Sequence, residues 1–216
     1  PFLGPVRPML LKGANPMAVD VLNAFVGHPP MDYGVFFRAP IGTELPTDTL
    51  GVLDPAFEDH GAVGEGGLTI AQNRSSSDIR MMGGSVFIDV QESYDETLTI
   101  TLLEDDNDAV LKTAFGDANV EMTPATTTDG TKRVIYHTSD PLPLSSFLVR
   151  TAYGDKNKLY VVERGRVATV AEVTEQHTNV TSRQLTIKTF RPVTLSLKGG
   201  NVVEYRDDGR PDPDAV

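Results

Sequence analysis

The residue types that carry chemistry are present in this chain, but their spacing assembles none of the usual sites. His28, His60, His137 and His177 lie in no H-x-x-x-H or H-E-x-x-H arrangement, the spacing that puts two imidazoles on one helical face to share a zinc ion. Glu104-Asp105-Asp106-Asn107-Asp108 concentrates carboxylates, yet it lacks the alternating ligand positions and central glycine of a calcium loop. Acids in the first turn of a helix, where they complement the positive end of the helix dipole, explain the run. Gly64-Glu65-Gly66-Gly67 misses G-x-G-x-x-G and precedes a strand pattern, whereas a dinucleotide loop follows a strand and opens a helix. Ser75-Ser76-Ser77 and Ser85 have no Gly-x-Ser-x-Gly around them, and no Walker sequence occurs. Arg164-Gly165-Arg166 has the charge to hold a phosphate, although pairing with a nearby acid is the simpler expectation. With no cysteine there is no disulfide and no thiolate ligand. The expectation is a protein without catalytic residues, cofactor or metal, and not an enzyme.

The elements that would position any site are mostly strands. Tyr33–Ala39 is aromatic and β-branched and is closed by Pro40. Val19–Val26 reads equally as a strand or a helical turn. From Pro40 to Gly67 the chain carries three prolines and six glycines, which predicts one long loop. Three adjacent strands are expected at 68–73, 85–91 and 92–102. The last holds Thr97-Leu98-Thr99-Ile100-Thr101-Leu102, a period-two pattern with one face to bury and one uncharged face to show. Thr97, Thr99 and Thr101 are thus candidates for a solvent-facing or lumen-facing row. One helix is expected over 104–115, capped by Asn107 or Asp106 and ended by Gly116, with Val110, Leu111, Ala114 and Phe115 as its apolar stripe. Further strands are expected at 132–137, 145–153, 158–163, 167–175, 182–189 and 202–205. Nine or ten strands and one helix predict a mainly β fold, a β-sandwich or barrel with the helix packed on the outside.

Composition narrows the function classes. The chain has 216 residues, 39% apolar and 23% charged, and a net charge of −11, the profile of one folded domain rather than a disordered or membrane-spanning chain. Charge is uneven: residues 1–121 hold 19 acids against 6 bases, and residues 122–216 hold 11 against 13. Such a surface is poorly suited to wrapping nucleic acid but suited to repelling it. Pro1, Pro5, Pro8 and Pro16 interrupt the apolar run that a secretory leader needs. Three segments follow: an extended arm at 1–16, a β domain at 17–205 with the long loop 40–67, and an acidic tail at 206–216.

The order of these pieces carries a likeness. Gly34-Val35-Phe36-Phe37-Arg38-Ala39-Pro40-Ile41-Gly42-Thr43-Glu44-Leu45-Pro46-Thr47-Asp48, then Phe57-Glu58-Asp59-His60-Gly61, Gly66-Gly67-Leu68-Thr69-Ile70, the strand through Thr97 and the helix ending Phe115-Gly116 together resemble the major tail tube proteins of long, noncontractile-tailed bacteriophages of actinobacterial hosts. The resemblance covers most of residues 17–205. It implies a virion structural subunit, made in the bacterial host cytoplasm, that forms homohexameric rings stacking into the tail tube and meets other tail proteins at the tube ends. Genomic DNA would pass through during delivery without specific binding, and no membrane would be engaged. It also implies that the long loop, with Pro40, Gly42, Pro46, Asp48, Phe57, Glu58 and Gly64, reaches a neighbouring ring. The alternative on residues alone is a monomeric β-sandwich binding module for carbohydrate or protein. No Trp and 7% aromatic content leave little for the aromatic platforms a sugar-binding face uses. An acid hydrolase with paired carboxylates is permitted by 30 acids and located by none of them.

Overall fold

The computed structural model describes residues 21–30 and 34–210; the expected arm at 1–16 and the last six residues of the tail lie outside the described residues. The open reading at 19–26 resolves in its described part to a 3-10 turn at Val21–Asn23. Ten strands and one helix follow: β1 (Phe36–Pro40), β2 (Glu58–Asp59), β3 (Val63–Arg80), β4 (Val86–Leu102), α1 (Asp108–Phe115), β5 (Val120–Thr123), β6 (Lys132–Ile135), β7 (Ser145–Tyr153), β8 (Lys156–Val170), β9 (Arg183–Thr189) and β10 (Val203–Asp207). Eight of the strands form one sheet in the order β2-β1-β7-β8-β9-β4-β3, with β10 also on β8, and β5 and β6 form a separate hairpin. All pairings are antiparallel, so the protein is mainly β, as the strand patterns require. Among the described residues no helix is long and apolar enough to cross a membrane.

Packing shows how the sheet is shaped. Phe36 from β1, Phe147 and Val149 from β7, Val162 and Val167 from β8, Leu185 and Ile187 from β9, and Leu98, Ile100 and Leu102 from β4 meet in one buried cluster. Flat strands stand about 4.8 Å apart, so side chains from β1 and β4, with three strands between them, share a core only because the sheet curls. α1 adds Val110 and Ala114 to the same cluster. Its start is set by Asn107, whose side chain accepts from the Ala109 amide at 2.9 Å, and its end by Gly116 at φ 95°. The opposite face of β1, β7 and β8 is also buried: Phe37, Ala39, Leu148, Leu159 and Val161 pack with Phe57, and Leu45 and Leu53 lie against them.

That second cluster corrects the expected loop at 40–67. Its connecting part is 41–57, β2 pairs with β1 at Phe37 and Arg38, and β3 already begins at Val63. Leu45, Leu53 and Phe57 hold the loop on the sheet, and the Arg150 guanidinium donates to the Gly51 carbonyl. The glycines and prolines mark changes of direction, while three of the apolar residues among them anchor the segment to the body. Two further boundaries differ for physical reasons. The expected strands 158–163 and 167–175 are one strand, β8, because Gly165 is a packing residue rather than a break. A Cβ there would stand 2.8 Å from the Phe147 ring and 2.9 Å from Ile187. The expected strands 68–73, 85–91 and 92–102 are the two arms of a single hairpin, since Ser75-Ser76-Ser77 stays in the ladder opposite Ser93, Gln91 and Val90.

A buried polar network ties α1 to the first strands. His60 is fully buried and lies edge-on to Phe36 with centroids 4.8 Å apart. Its Nδ1 sits 3.0 Å from the Glu58 carbonyl, which needs a proton on that nitrogen, so Nε2 accepts from Thr113 Oγ1 at 2.7 Å. Thr113 lies 3.5 Å from Arg38 Nη1, and Arg38 also donates to Ser145 at 2.9 Å and forks onto Asp117. Burial raises the Asp117 carboxyl, but the hydrogen bonds and charge of Arg38 outweigh it and leave the group below the usual range. Burial, aided by the Arg38 charge, brings His60 down to about 4.

Two predictions follow from this packing. A base whose folded-state value is depressed stabilises the fold fully above its unfolded value of about 6.5 and loses that contribution as pH falls toward the folded value. His60 therefore costs roughly 3 kcal/mol of stability between pH 6.5 and 4. Urea unfolding measured at intervals from pH 7 to 4.5 should show a decline that is shallower in His60→Gln than in the parent. Gly165→Ala should lose about 1–3 kcal/mol by overpacking, read as a lower urea midpoint at unchanged slope.

Candidate assembly surface

Each candidate residue of the β4 row sits on the outer side of the curled sheet. Leu98, Ile100 and Leu102 are buried, and Thr97, Thr99 and Thr101 between them are half-exposed. A one-residue slip would expose all three apolar side chains, at about 1.5–3 kcal/mol each, so the core fixes the register of the row. Pairing then extends it sideways. Thr69 of β3 stands opposite Thr99, Thr99 opposite Thr186 of β9, and Thr186 opposite Thr169 of β8. Four strands thus present one line of threonines, and Thr99 Oγ1 lies 3.4 Å from Thr186 Oγ1. Gln184 donates to Thr101 at 3.4 Å, and Lys188, opposite Thr97, pairs with Asp95 at 2.7 Å. The face offers hydroxyls to water along the Thr99 line, with Lys188, Asp95 and Arg166 as its charged end.

Beyond residue 94 the same two strands leave the body. Every residue from Ala71 to Ser93 is exposed, and over ten residues per strand this makes a ribbon about 30 Å long. The ribbon closes at Met81–Ser85, where Gly83 and Gly84 take φ of 101° and 89° and Gly84 donates to the Met81 carbonyl, a conformation that favours glycine. Bulges where Ser75/Ser76 faces Ser93/Gln91 and where Ile79/Arg80 faces Ile88/Val86 put the extra residues, Glu92 and Phe87, in β4 while β3 runs unbroken. On one face of the outer half stand the pairs Ser77–Val90 and Ile79–Ile88, and on the other the pair Asp78–Asp89. Ile79, Met82, Phe87 and Ile88 are 53%, 99%, 73% and 48% exposed. β3 is also the terminal strand of the sheet, so the hydrogen-bonding groups along its outer edge have no strand partner among the described residues.

The other candidate residues are dispersed along one segment. Pro46 and Phe57 are buried, Gly64 is half-buried, and Pro40, Gly42, Asp48 and Glu58 are exposed; Leu45, Leu53 and Phe57 face the body, while Ile41, Leu50 and Val52 of the same loop stand in solvent. The chemical candidates remain apart. His28 stacks on Tyr153, His60 is in the core, and His137 lies 4.4 Å from the Phe115 ring. Glu104 accepts from the Ala62 amide, Asp105 pairs with Arg183 and Asp108 with Arg133. Neither Arg164 nor Arg166 has the expected carboxylate partner among the described residues; Arg166 stands opposite Lys188 with its guanidinium 6.0 Å from the Phe190 ring. No group of three or more His, Cys, Asp and Glu among the described residues is placed to hold a metal ion.

No family model matches the chain, and no curated protein matches it. Among solved structures it is similar to a chain of the virion of a native gene transfer agent particle, at 13% identity and a TM-score of 0.33, over 63% of this chain and 85% of that one. A likeness at that level carries no inference about what this chain does.

The ribbon generates a prediction about the isolated chain. Amides of residues 75–91 should exchange with solvent orders of magnitude faster than those of 97–102, because only the inner half of β4 is held on both edges. Hydrogen exchange read by mass spectrometry on dilute protein measures it.

Proposed function

We propose that this chain is a structural subunit that polymerises with copies of itself, and that its role is the hollow body so formed. The observation that supports this reading is the β3–β4 ribbon. A two-stranded hairpin in water is marginal at best, yet here one extends about 30 Å from the body with Ile79, Met82, Phe87 and Ile88 in solvent and an open 18-residue edge strand beside them. Open edges invite pairing with another chain unless prolines, dense charge or very short strands block them. β3 contains no proline and is not short. A second copy supplies what the ribbon lacks: a sheet edge to bond and an apolar surface to cover.

On the resemblance of the sequence to phage tail tube proteins, the assembly is a stack of homohexameric rings in a virion tail, with tail proteins at its ends. In this arrangement the threonine face of β3, β4, β9 and β8 lines the passage. A face made mainly of hydroxyls, in a chain of net charge −11, gives DNA little to adhere to, which suits a conduit. In the same arrangement the exposed residues of the loop at 41–57, Leu50 and Val52 among them, contact the next ring.

Electron microscopy of the purified chain over a concentration series tests the reading: tubes or six-fold rings are expected. Replacing residues 76–91 by a two-residue Asn-Gly turn should leave a folded monomer with the parent's urea midpoint that no longer assembles. A parent chain that remains monomeric at high concentration would contradict the reading.

A further inference from the structure

Resting on the self-assembly reading, we infer that the cleft at the root of the ribbon is the receptor for the Asp78–Asp89 pair of another copy. The cleft, of about 590 Å³, lies between Gln72, Arg74 and Tyr94 on the ribbon and the segments 188–191 and 198–202. Four cations line it, Arg74, Lys188, Arg191 and Lys198, against two carboxylates, Asp95 and Glu96.

The carboxylates are already engaged. Asp95 holds Lys188, and the buried Glu96 accepts from Gln72 at 2.9 Å and from Tyr94 at 2.9 Å. Arg74 lies over the Tyr94 ring at 4.6 Å. Arg74, Arg191 and Lys198 have no carboxylate partner among the described residues. Three unmatched cations in one place are conspicuous in a chain with 11 more acids than bases.

The complementary mismatch sits further along the ribbon. Asp78 and Asp89 are directly opposed across the strands, an arrangement that destabilises a sheet. Only Asp78 has a cation, Arg80 at 3.0 Å, and both members of that pair are exposed. Such a pair is worth little in water. Asp78 lies four positions beyond Arg74 on β3, about 13 Å of extended strand, and the two form no ion pair. The chain therefore holds an acidic pair and a cationic cleft that do not pair with each other within one copy. Seating the outer ribbon of one copy over the root of the next brings them together, with the Ile79–Ile88 face of the ribbon on the side away from the cleft.

Charge reversal tests this on the full chain. Asp78→Lys with Asp89→Lys, and separately Arg191→Glu with Lys198→Glu, should each raise the critical concentration for assembly at least about tenfold, a change of about 1.4 kcal/mol per contact. The fourfold variant should restore assembly to near the parent value, as read by sedimentation and electron microscopy, with urea midpoints confirming that each variant folds. Parent assembly with either reversed pair indifferent, or with no rescue in the fourfold variant, overturns this inference and leaves the assembly reading standing. Binding of a single-stranded oligonucleotide to the parent that is lost in Arg191→Glu with Lys198→Glu, with assembly unchanged, assigns the cleft to phosphate and also overturns it. A parent that never assembles overturns both.

Discussion

The structure depends on the change in circumstances that β4 undergoes at Glu96. Inward of it the strand is bonded on both edges, to β9 and β3, and lays Leu98, Ile100 and Leu102 into the core. Outward of it the strand has one partner and no core. Glu96 marks the crossing as a buried carboxylate satisfied by Gln72 and Tyr94, while its backbone carbonyl accepts from Thr189 at 2.9 Å. Burying a charge is tolerable only when its hydrogen bonds are made, so the side chains that satisfy it also fix where the body ends and the ribbon begins.

From that division the rest of the architecture follows. The curled sheet is covered on its concave side by α1 and on the other side of β1, β7 and β8 by the loop at 41–57. The polar face of β3, β4, β9 and β8 is left without cover among the described residues. A domain meant to work alone has little use for a 30 Å extension that displays isoleucines and methionines to water. One meant to work in an array keeps its hydrophobic material outside its own core, where a neighbour can reach it.

Much of this was legible in the sequence where one rule acted locally. The alternation Thr97 to Leu102 fixed β4 and its faces, and Gly116 ended α1 as expected, whereas its start lies at Asp108 rather than 104 because Asn107, one of the two expected caps, holds the Ala109 amide. What escaped were features decided by distant partners. Ser75-Ser76-Ser77 fell outside the expected strands because serine carries no strand pattern of its own, and Ser93, Gln91 and Val90 opposite it are what keep it in β3. Gly165 reads as a break until Phe147 and Ile187 are seen to leave no room for a side chain. The loop at 41–57 looked free because its three anchors, Leu45, Leu53 and Phe57, are thinly spread among prolines and glycines. The cationic cleft was invisible because Arg74 and Arg191 are 117 positions apart (191 − 74), and only the pairing of β4 with both β3 and β9 makes them neighbours.

β8 has a mechanical consequence. One strand of 15 residues bonds β7 along one side, and β10 then β9 along the other. Traction applied along its axis would load those ladders in shear, so that many hydrogen bonds resist together instead of parting one after another as in a zipper. A filament whose subunits align this strand with its long direction would stretch little before it broke.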